Sequence, residues 1–312
     1  MAFMIRPNNL GIYRLAALGV VALAIPGPAS ALFGADALPP AAVYRDPPKD
    51  AAHPARMESL QIMSHGCAMN AVFYLAGGAE RRPTVLFLHG SPGNEQNLDL
   101  AQAIRRAGWN VLTLHYRGSW GSAGQYSLLH CVEDSQVAIA FLRDPAVAAR
   151  YGLAPGKIVV AGHSLGAFLA AKAGAADSAL MGVALIAAWD VGFDGPLMAK
   201  WTKEQIEDEF GDMPGRVVGA TGPSMIAEAL KHRDDWALAA FAPGLAQLPV
   251  LVVTPHDDDR VTDLKLAGDL KALGGPVTTV DIDTDHPFSD SRIALETAVI
   301  LWLQSLPGAP KA

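Results

Sequence analysis

The chain has 312 residues, of which 51% are apolar, 18% charged and 7% aromatic. That composition excludes a disordered polymer and allows one large domain or two modest ones. Lys and Arg number 24 against 31 Asp and Glu, a formal net charge of −7 with no basic patch, so a nucleic-acid partner is not expected. Two cysteines, Cys67 and Cys131, are too few for a disulfide scaffold or a four-ligand zinc module.

The mean hydropathy of +0.22 is high for a soluble protein, and part of it sits at the front. Arg6 and Arg14 precede the uncharged run Leu15–Ile25, Pro26-Gly27-Pro28 breaks any helix, and Ala29-Ser30-Ala31 has the small residues of a cleavage site. The run is shorter than the roughly 20 apolar residues a membrane span requires. Residues 1–31 therefore read as a signal peptide cleaved after Ala31, with no stable membrane span expected; an uncleaved anchor is the alternative reading of the segment. The mature protein is expected to be exported, to a bacterial periplasm or the extracellular medium. No Asn-x-Ser/Thr sequon occurs, which agrees with a bacterial source.

Residues 32–56, rich in Pro and Ala, read as an extended lead-in. Glu58–Ser64 and Met69–Leu75 suggest a hairpin around His65-Gly66. Thr84–Leu88, Val111–Tyr116, Ile158–Ala161, Val183–Ala187 and Val250–Thr254 read as buried strands, and Val277–Ile282 as the last. Helical spacing falls between them at Asn97–Ala107, Val132–Arg143, Ala167–Ala176 and Leu264–Leu273, with Arg292–Leu306 closing the chain. This alternation predicts an α/β fold with a mostly parallel sheet covered by helices. The long interruption at 190–248 carries Trp201, Trp236, Met198, Met213 and Met225 and a charged stretch, Lys203–Asp212. It exceeds an ordinary loop and suggests a lid or cap. It divides the core into 57–189 and 249–312.

The chemistry begins at Lys157–Gly166, KIVVAGHSLG, where a buried strand runs into Gly162-His163-Ser164-Leu165-Gly166 and a small-residue helix. G-x-S-x-G between strand and helix is a nucleophile elbow, which lifts a serine hydroxyl above a sheet at the positive end of a new helix. The alternative is an ordinary glycine-rich turn with a surface serine. A serine needs a base and an orienting acid, and in this strand–elbow–helix architecture the chain order is Ser, acid, His. Of nine histidines, six precede Ser164, His232 lies in the interruption and His256 precedes the acid run, which leaves His286 in Asp285-His286-Pro287-Phe288. The acid comes from VLVVTPHDDDRV. Asp258 is preferred among Asp257, Asp258 and Asp259 for its Asp-x-Arg-Val setting, with Asp190 as the alternative. A metal site on His256 and the aspartates would lack a second ligand cluster, and no cofactor is called for. The oxyanion donors would be the amides of Leu165 and of Ser91 in His89-Gly90-Ser91-Pro92-Gly93, with His89 bracing that loop.

Together LFLHGSPG, HYRGSWGSAG, GHSLG, TPHDDDRV and DTDHPFSD resemble the α/β-hydrolase superfamily over residues 58–306, with the last motifs similar to its prolyl-oligopeptidase-like and serine-aminopeptidase-like branches. Pro255 departs from the glycine often found before the acid. The resemblance implies the α/β-hydrolase fold: an eight-stranded, mostly parallel sheet, helices on both faces and a helical lid. It implies a serine hydrolase acting through Ser164, His286 and Asp258 on a small-molecule acyl substrate. The Trp- and Met-containing interruption, read as an apolar lid, favours carboxylic esters, whereas the prolyl-oligopeptidase-like and aminopeptidase-like motifs support an exported serine peptidase, acting on short peptides, as the alternative. A binding protein on the same scaffold is the non-catalytic alternative. The antiparallel second strand beside the fourth would also bring Cys67 near Cys131, and a disulfide between them is expected in an oxidising compartment.

Overall fold

A computed structural model describes residues 37–257 and 259–310. Residues 1–31, read from the sequence as a signal peptide, lie outside the described residues. Eight strands form one sheet: β1 (Arg56–Ser64), β2 (Cys67–Leu75), β3 (Arg82–Leu88), β4 (Asn110–Leu114), β5 (Leu153–His163), β6 (Gly182–Ile186), β7 (Val250–Pro255) and β8 (Val277–Ile282). Their spatial order is β1-β2-β4-β3-β5-β6-β7-β8. β2 runs antiparallel to both its neighbours, and the remaining adjacent pairs are parallel. The predicted fold is therefore the observed one.

The local chemistry explains the first turn. His65 and Gly66 both take positive φ, 46° and 80°, the twist that lets a two-residue turn close a right-handed hairpin. The central strands bury both faces, as parallel strands under helices must. Val85, Phe87, Val111, Val159, Ala161, Leu251 and Val253 face one core. Leu86, Leu88, Leu112, Val160, Val183, Leu185 and Val252 face the other.

Helices α1 (Ala41–Tyr44) and α2 (Leu98–Arg106) belong to the first of these layers, which α11 (Arg292–Ser305) completes. On the opposite face lie α3 (Leu128–Arg143), α4 (Pro145–Tyr151) and α5 (Leu165–Ala176). The stretch between β6 and β7 holds α6 (Val191–Met198), α7 (Lys203–Phe210), α8 (Gly222–Lys231) and α9 (Leu238–Leu245), and α10 (Arg260–Ala272) comes after β7. The sequence periodicity missed α1, a short helix inside the stretch read as an extended lead-in, where Val43 is buried, and α4, whose start is set by Asp144 accepting from the Ala146 and Val147 amides, with Pro145 in the first turn. Helix α7 is largely exposed and closed by a capping box of Thr202 and Gln205. Phe168 of α5 meets Trp236 and Phe241 at ring-centroid distances of 5.6 and 5.9 Å, so the interruption shares its core with the sheet layer. Among the described residues no helix is long and apolar enough to cross a membrane.

The expected disulfide is not formed: Cys67 and Cys131 are both free. Register explains it. Cys67 closes the β1–β2 hairpin opposite Ser64, and the Gly124 turn packs against its Sγ. Cys131 is fully buried in α3. Arg117 fills the neighbouring space, reaching Asp134 Oδ1 with Nε at 2.6 Å and the His130 carbonyl with Nη2 at 3.2 Å. Asp134 also accepts from Ser64 Oγ and the Arg117 amide, so the ends of β1 and β4 are joined by this buried carboxylate and not by sulfur.

Candidate active site

The loops after β3, β5, β6, β7 and β8 converge at the carboxyl end of the sheet, where open α/β folds place their ligands. Ser164 sits between β5 and α5 with φ 57° and ψ −121°, a region a non-glycine residue occupies only under constraint. The constraint is visible. The Ser164 amide donates to Ile186 O at 3.0 Å, and its carbonyl accepts from the amides of Ala167 and Trp189. The flanking glycines are obligatory, because a Cβ on Gly162 would lie 2.1 Å from Gly166 backbone and one on Gly166 would lie 1.9 Å from Leu88 O.

Gly90 brings the β3 loop against the nucleophile, and a Cβ there would stand 3.0 Å from Ser164 Cβ. Tyr116 OH donates to His89 O at 2.8 Å, and Trp120 Nε1 donates to Pro92 O at 2.7 Å. His89, nearly sealed from solvent, braces the loop from inside by donating from Nδ1 to Gly90 O at 2.7 Å. Within this frame the amides of Ser91 and Leu165 donate to no other described residue. Two free N–H groups beside a serine, one at a helix start, are what a developing oxyanion requires.

His286 lies in the loop after β8. Its Nδ1–H donates to Asp257 Oδ2 at 2.6 Å, and Asp259 Oδ2 stands 3.5 Å from the same nitrogen. Asp258, preferred from sequence, lies outside the described residues. Burial lowers the affinity of His286 for its proton, but the Asp257 hydrogen bond and the Asp259 and Asp257 charges outweigh it, and the pKa is raised. Asp259 is itself pushed well above the usual carboxylate range, by burial first and then by Asp257, Asp263 and Asp194, with His286 opposing. Like charges this close cannot all ionise. The site thus presents one imidazole anchored by one strong carboxylate bond. Among the described residues no hydrogen bond joins Ser164 Oγ to His286, and such contacts often tighten only when substrate binds.

The other sequence alternatives find separate places. Asp190 accepts from the amides of Phe193 and Leu238, both at 3.1 Å, so it caps α6 and ties it to α9. His256 pairs with Asp281 and Asp283, each at 3.0 Å. The described residues that could hold a metal ion are Asp257, Asp259 and His286, whose ligand atoms lie within 4.8 Å of one another. They are the residues of the imidazole–carboxylate contact itself.

Sequence order discarded His163, yet the structure gives it a role. It is buried, and its Nε2–H donates to the His286 carbonyl at 3.0 Å. Arg292 holds the same loop, donating to Pro287 O and Asn97 Oδ1 and gripping Asp99 with two bonds of 2.8 and 2.6 Å. A histidine inside G-x-S-x-G and an arginine six residues after His286 carry no signal of these partners.

The chain belongs to the alpha/beta hydrolase family of enzymes, whose sequence profile it matches over residues 85–295. Among solved structures it is similar to Est1E from Butyrivibrio proteoclasticus (TM-score 0.60, 18% identity, 78% of this chain and 96% of that one). An esterase from Pyrobaculum calidifontis gives a TM-score of 0.57 at 20% identity over 82% of this chain and 87% of the other. An acylaminoacyl peptidase from Pyrococcus horikoshii gives 0.60 at 14% identity, over 82% of this chain and 42% of that longer one. At these identities the likeness is one of fold. No curated protein matches the chain at a significant level.

Proposed function

We propose that the protein is a serine hydrolase that cleaves carboxylic esters through an acyl-enzyme. The observation that carries this reading is the elbow itself, with Ser164 at positive φ beside two amides that donate to no other described residue. Ser164 Oγ attacks the acyl carbonyl while His286 Nε2 takes its proton. The Ser91 and Leu165 amides hold the oxyanion, and His286 returns the proton to the leaving alcohol. Water, activated by the same imidazole, then releases the acid. An acid from the Asp257–Asp259 run keeps the Nδ1–H tautomer. Asp257 takes that role because of its 2.6 Å bond, and Asp258 is the alternative within the run.

The surroundings of the nucleophile favour esters over peptides. Trp189 N–H donates to Ser164 O, so α6 starts beside the site, and it exposes the apolar side chains of Phe193 and Leu197. An apolar face suits an acyl chain, and residues 190–248 would act as its lid. Labelling by a fluorophosphonate, lost in Ser164→Ala, tests the nucleophile. Parallel p-nitrophenyl ester and aminoacyl-amide panels test the substrate class, and higher kcat/KM on the amides would assign a peptidase. Residues 1–31 would direct export, which N-terminal sequencing of the protein recovered outside the cytoplasm would check.

A further inference from the structure

Behind the β3 loop, on the face of the sheet that α2 leaves uncovered, lies a cleft of about 530 Å³. Its floor is one side of β1, β2, β4 and β3: Gln61, Asn70, Thr113 and His115, ending at His89. His89 therefore separates this cleft from the oxyanion loop. Its ring lies 5.3 Å from that of His115 and 4.6 Å from that of Tyr116.

The hydrogen-bond directions along this path are fixed by elementary rules. A carbonyl only accepts, so His89 Nδ1, 2.7 Å from Gly90 O, carries a proton. Burial and the neighbouring His115 lower the pKa of His89 to about 4, so at neutral pH its other nitrogen is bare. That nitrogen, Nε2, lies 3.4 Å from His115 Nδ1, and the contact is a hydrogen bond only with His115 Nδ1–H as its donor. Burial also lowers the pKa of His115, so this ring too is neutral, with its own Nε2 bare. The path ends on a particular peptide unit. Gly90 C=O and Ser91 N–H belong to the same amide, and donation to an amide oxygen draws electrons from its nitrogen and makes its N–H a stronger donor.

We propose that His115 is a positioning residue for the oxyanion site, acting through His89 to hold and polarise the Gly90–Ser91 peptide. Three donors run in one sense: His115 Nδ1–H to His89, His89 Nδ1–H to Gly90 O, and Ser91 N–H to the tetrahedral oxygen. The role rests on the serine hydrolase reading, because only a developing oxyanion uses the last donor.

The test sets two replacements against each other. His115→Phe keeps a ring of similar shape without a donor, whereas His115→Asn keeps a donor near Nδ1 without the ring. With an activated ester, His115→Phe should lower kcat about fivefold and leave KM within about twofold. It should weaken a trifluoromethyl ketone, which forms an oxyanion on Ser164, by the same factor. His115→Asn should recover most of both losses. A Phe variant as active as the native enzyme, or better than the Asn variant, overturns the proposal, because packing alone would then explain His115. Imidazole ¹⁵N–¹H spectra of the native protein at neutral pH give a second arm that needs no substrate. Protonated Nδ1 on both His89 and His115 is expected, and a protonated Nε2 on His89 overturns the chain of donors. The expected tautomers in a protein that hydrolyses no ester and takes no fluorophosphonate would refute the hydrolase reading and leave the hydrogen-bonded chain standing.

Discussion

His163 Nε2 donates to the backbone carbonyl of His286 at 3.0 Å, with the two rings 4.8 Å apart. The residue before the nucleophile thus holds the loop that carries the base. Burial, then the charge of His286, drops the His163 pKa to about 3, so it stays neutral and does not compete for the proton His286 handles. Replacing it with leucine leaves a carbonyl without its donor, at a cost of about 1–3 kcal/mol. His163→Leu should lower the denaturation midpoint and reduce kcat about tenfold, checked by urea titration and by ester kinetics on the same preparation.

The sign of the His286 shift sets the pH profile. His286 must be neutral to accept the Ser164 proton, and its pKa is raised by Asp257 and Asp259 against the effect of burial. The acid limb of kcat/KM should therefore lie above the ordinary imidazole value of about 6.5. The stability contribution runs the other way: a raised folded-state pKa stabilises below the unfolded value and is lost as pH rises through the folded one. Asp257→Asn should move the acid limb downward, and an unmoved limb would show that another group sets it.

Three adjacent aspartates can be separated by amide substitution. Asp257→Asn removes the carboxylate bonded to Nδ1 and should lower kcat about 10³-fold or more, as loss of the orienting acid does elsewhere. Asp259→Asn replaces a carboxyl whose proton affinity is already raised well above normal, so the loss should be much smaller. If instead Asp258→Asn abolishes turnover and Asp257→Asn does not, the role passes to Asp258.

Arg292 and Asp99 join the His286 loop to the start of α2 through two charge-assisted hydrogen bonds. Asp99 is well exposed, which limits the strength of the pair. A double-mutant cycle of Arg292→Gln and Asp99→Asn should give a coupling of about 1 kcal/mol. Additive losses would show that Arg292 acts only through Pro287 O and Asn97.

Gly166→Ala should fail to give stable protein, because its Cβ would meet Leu88 O at 1.9 Å and His89 O at 2.9 Å. Both are backbone atoms of β3 and the oxyanion loop and cannot rotate away. A loss of more than about 3 kcal/mol is expected, measured as soluble yield and thermal midpoint, whereas Gly268→Ala meets open space and should be tolerated.

Much of this was legible in the sequence because its signals are local. Strand periods, the His65-Gly66 turn and the strand–Gly-x-Ser-x-Gly–helix order each depend on residues a few positions apart. That is why all eight strands and the position of Ser164 could be read without a structure. Chain order then singled out His286. Composition and one missing basic patch removed nucleic acid from consideration.

The structure decided what depends on direction in space. The family resemblance implied a bond between Cys67 and Cys131, but strand register and Arg117 give the two thiols different neighbours. A run of three aspartates looks alike in sequence, and only the turn after β7 determines that Asp257 points at His286. His163, Arg292, His89 and His115 gain their roles from partners up to 195 positions away. Hydrogen bonds require an angle and a distance of about 3 Å, which sequence spacing cannot encode once the chain folds back on itself. The sequence determined which residues could do chemistry; packing at the carboxyl ends of five strands determined which of them meet.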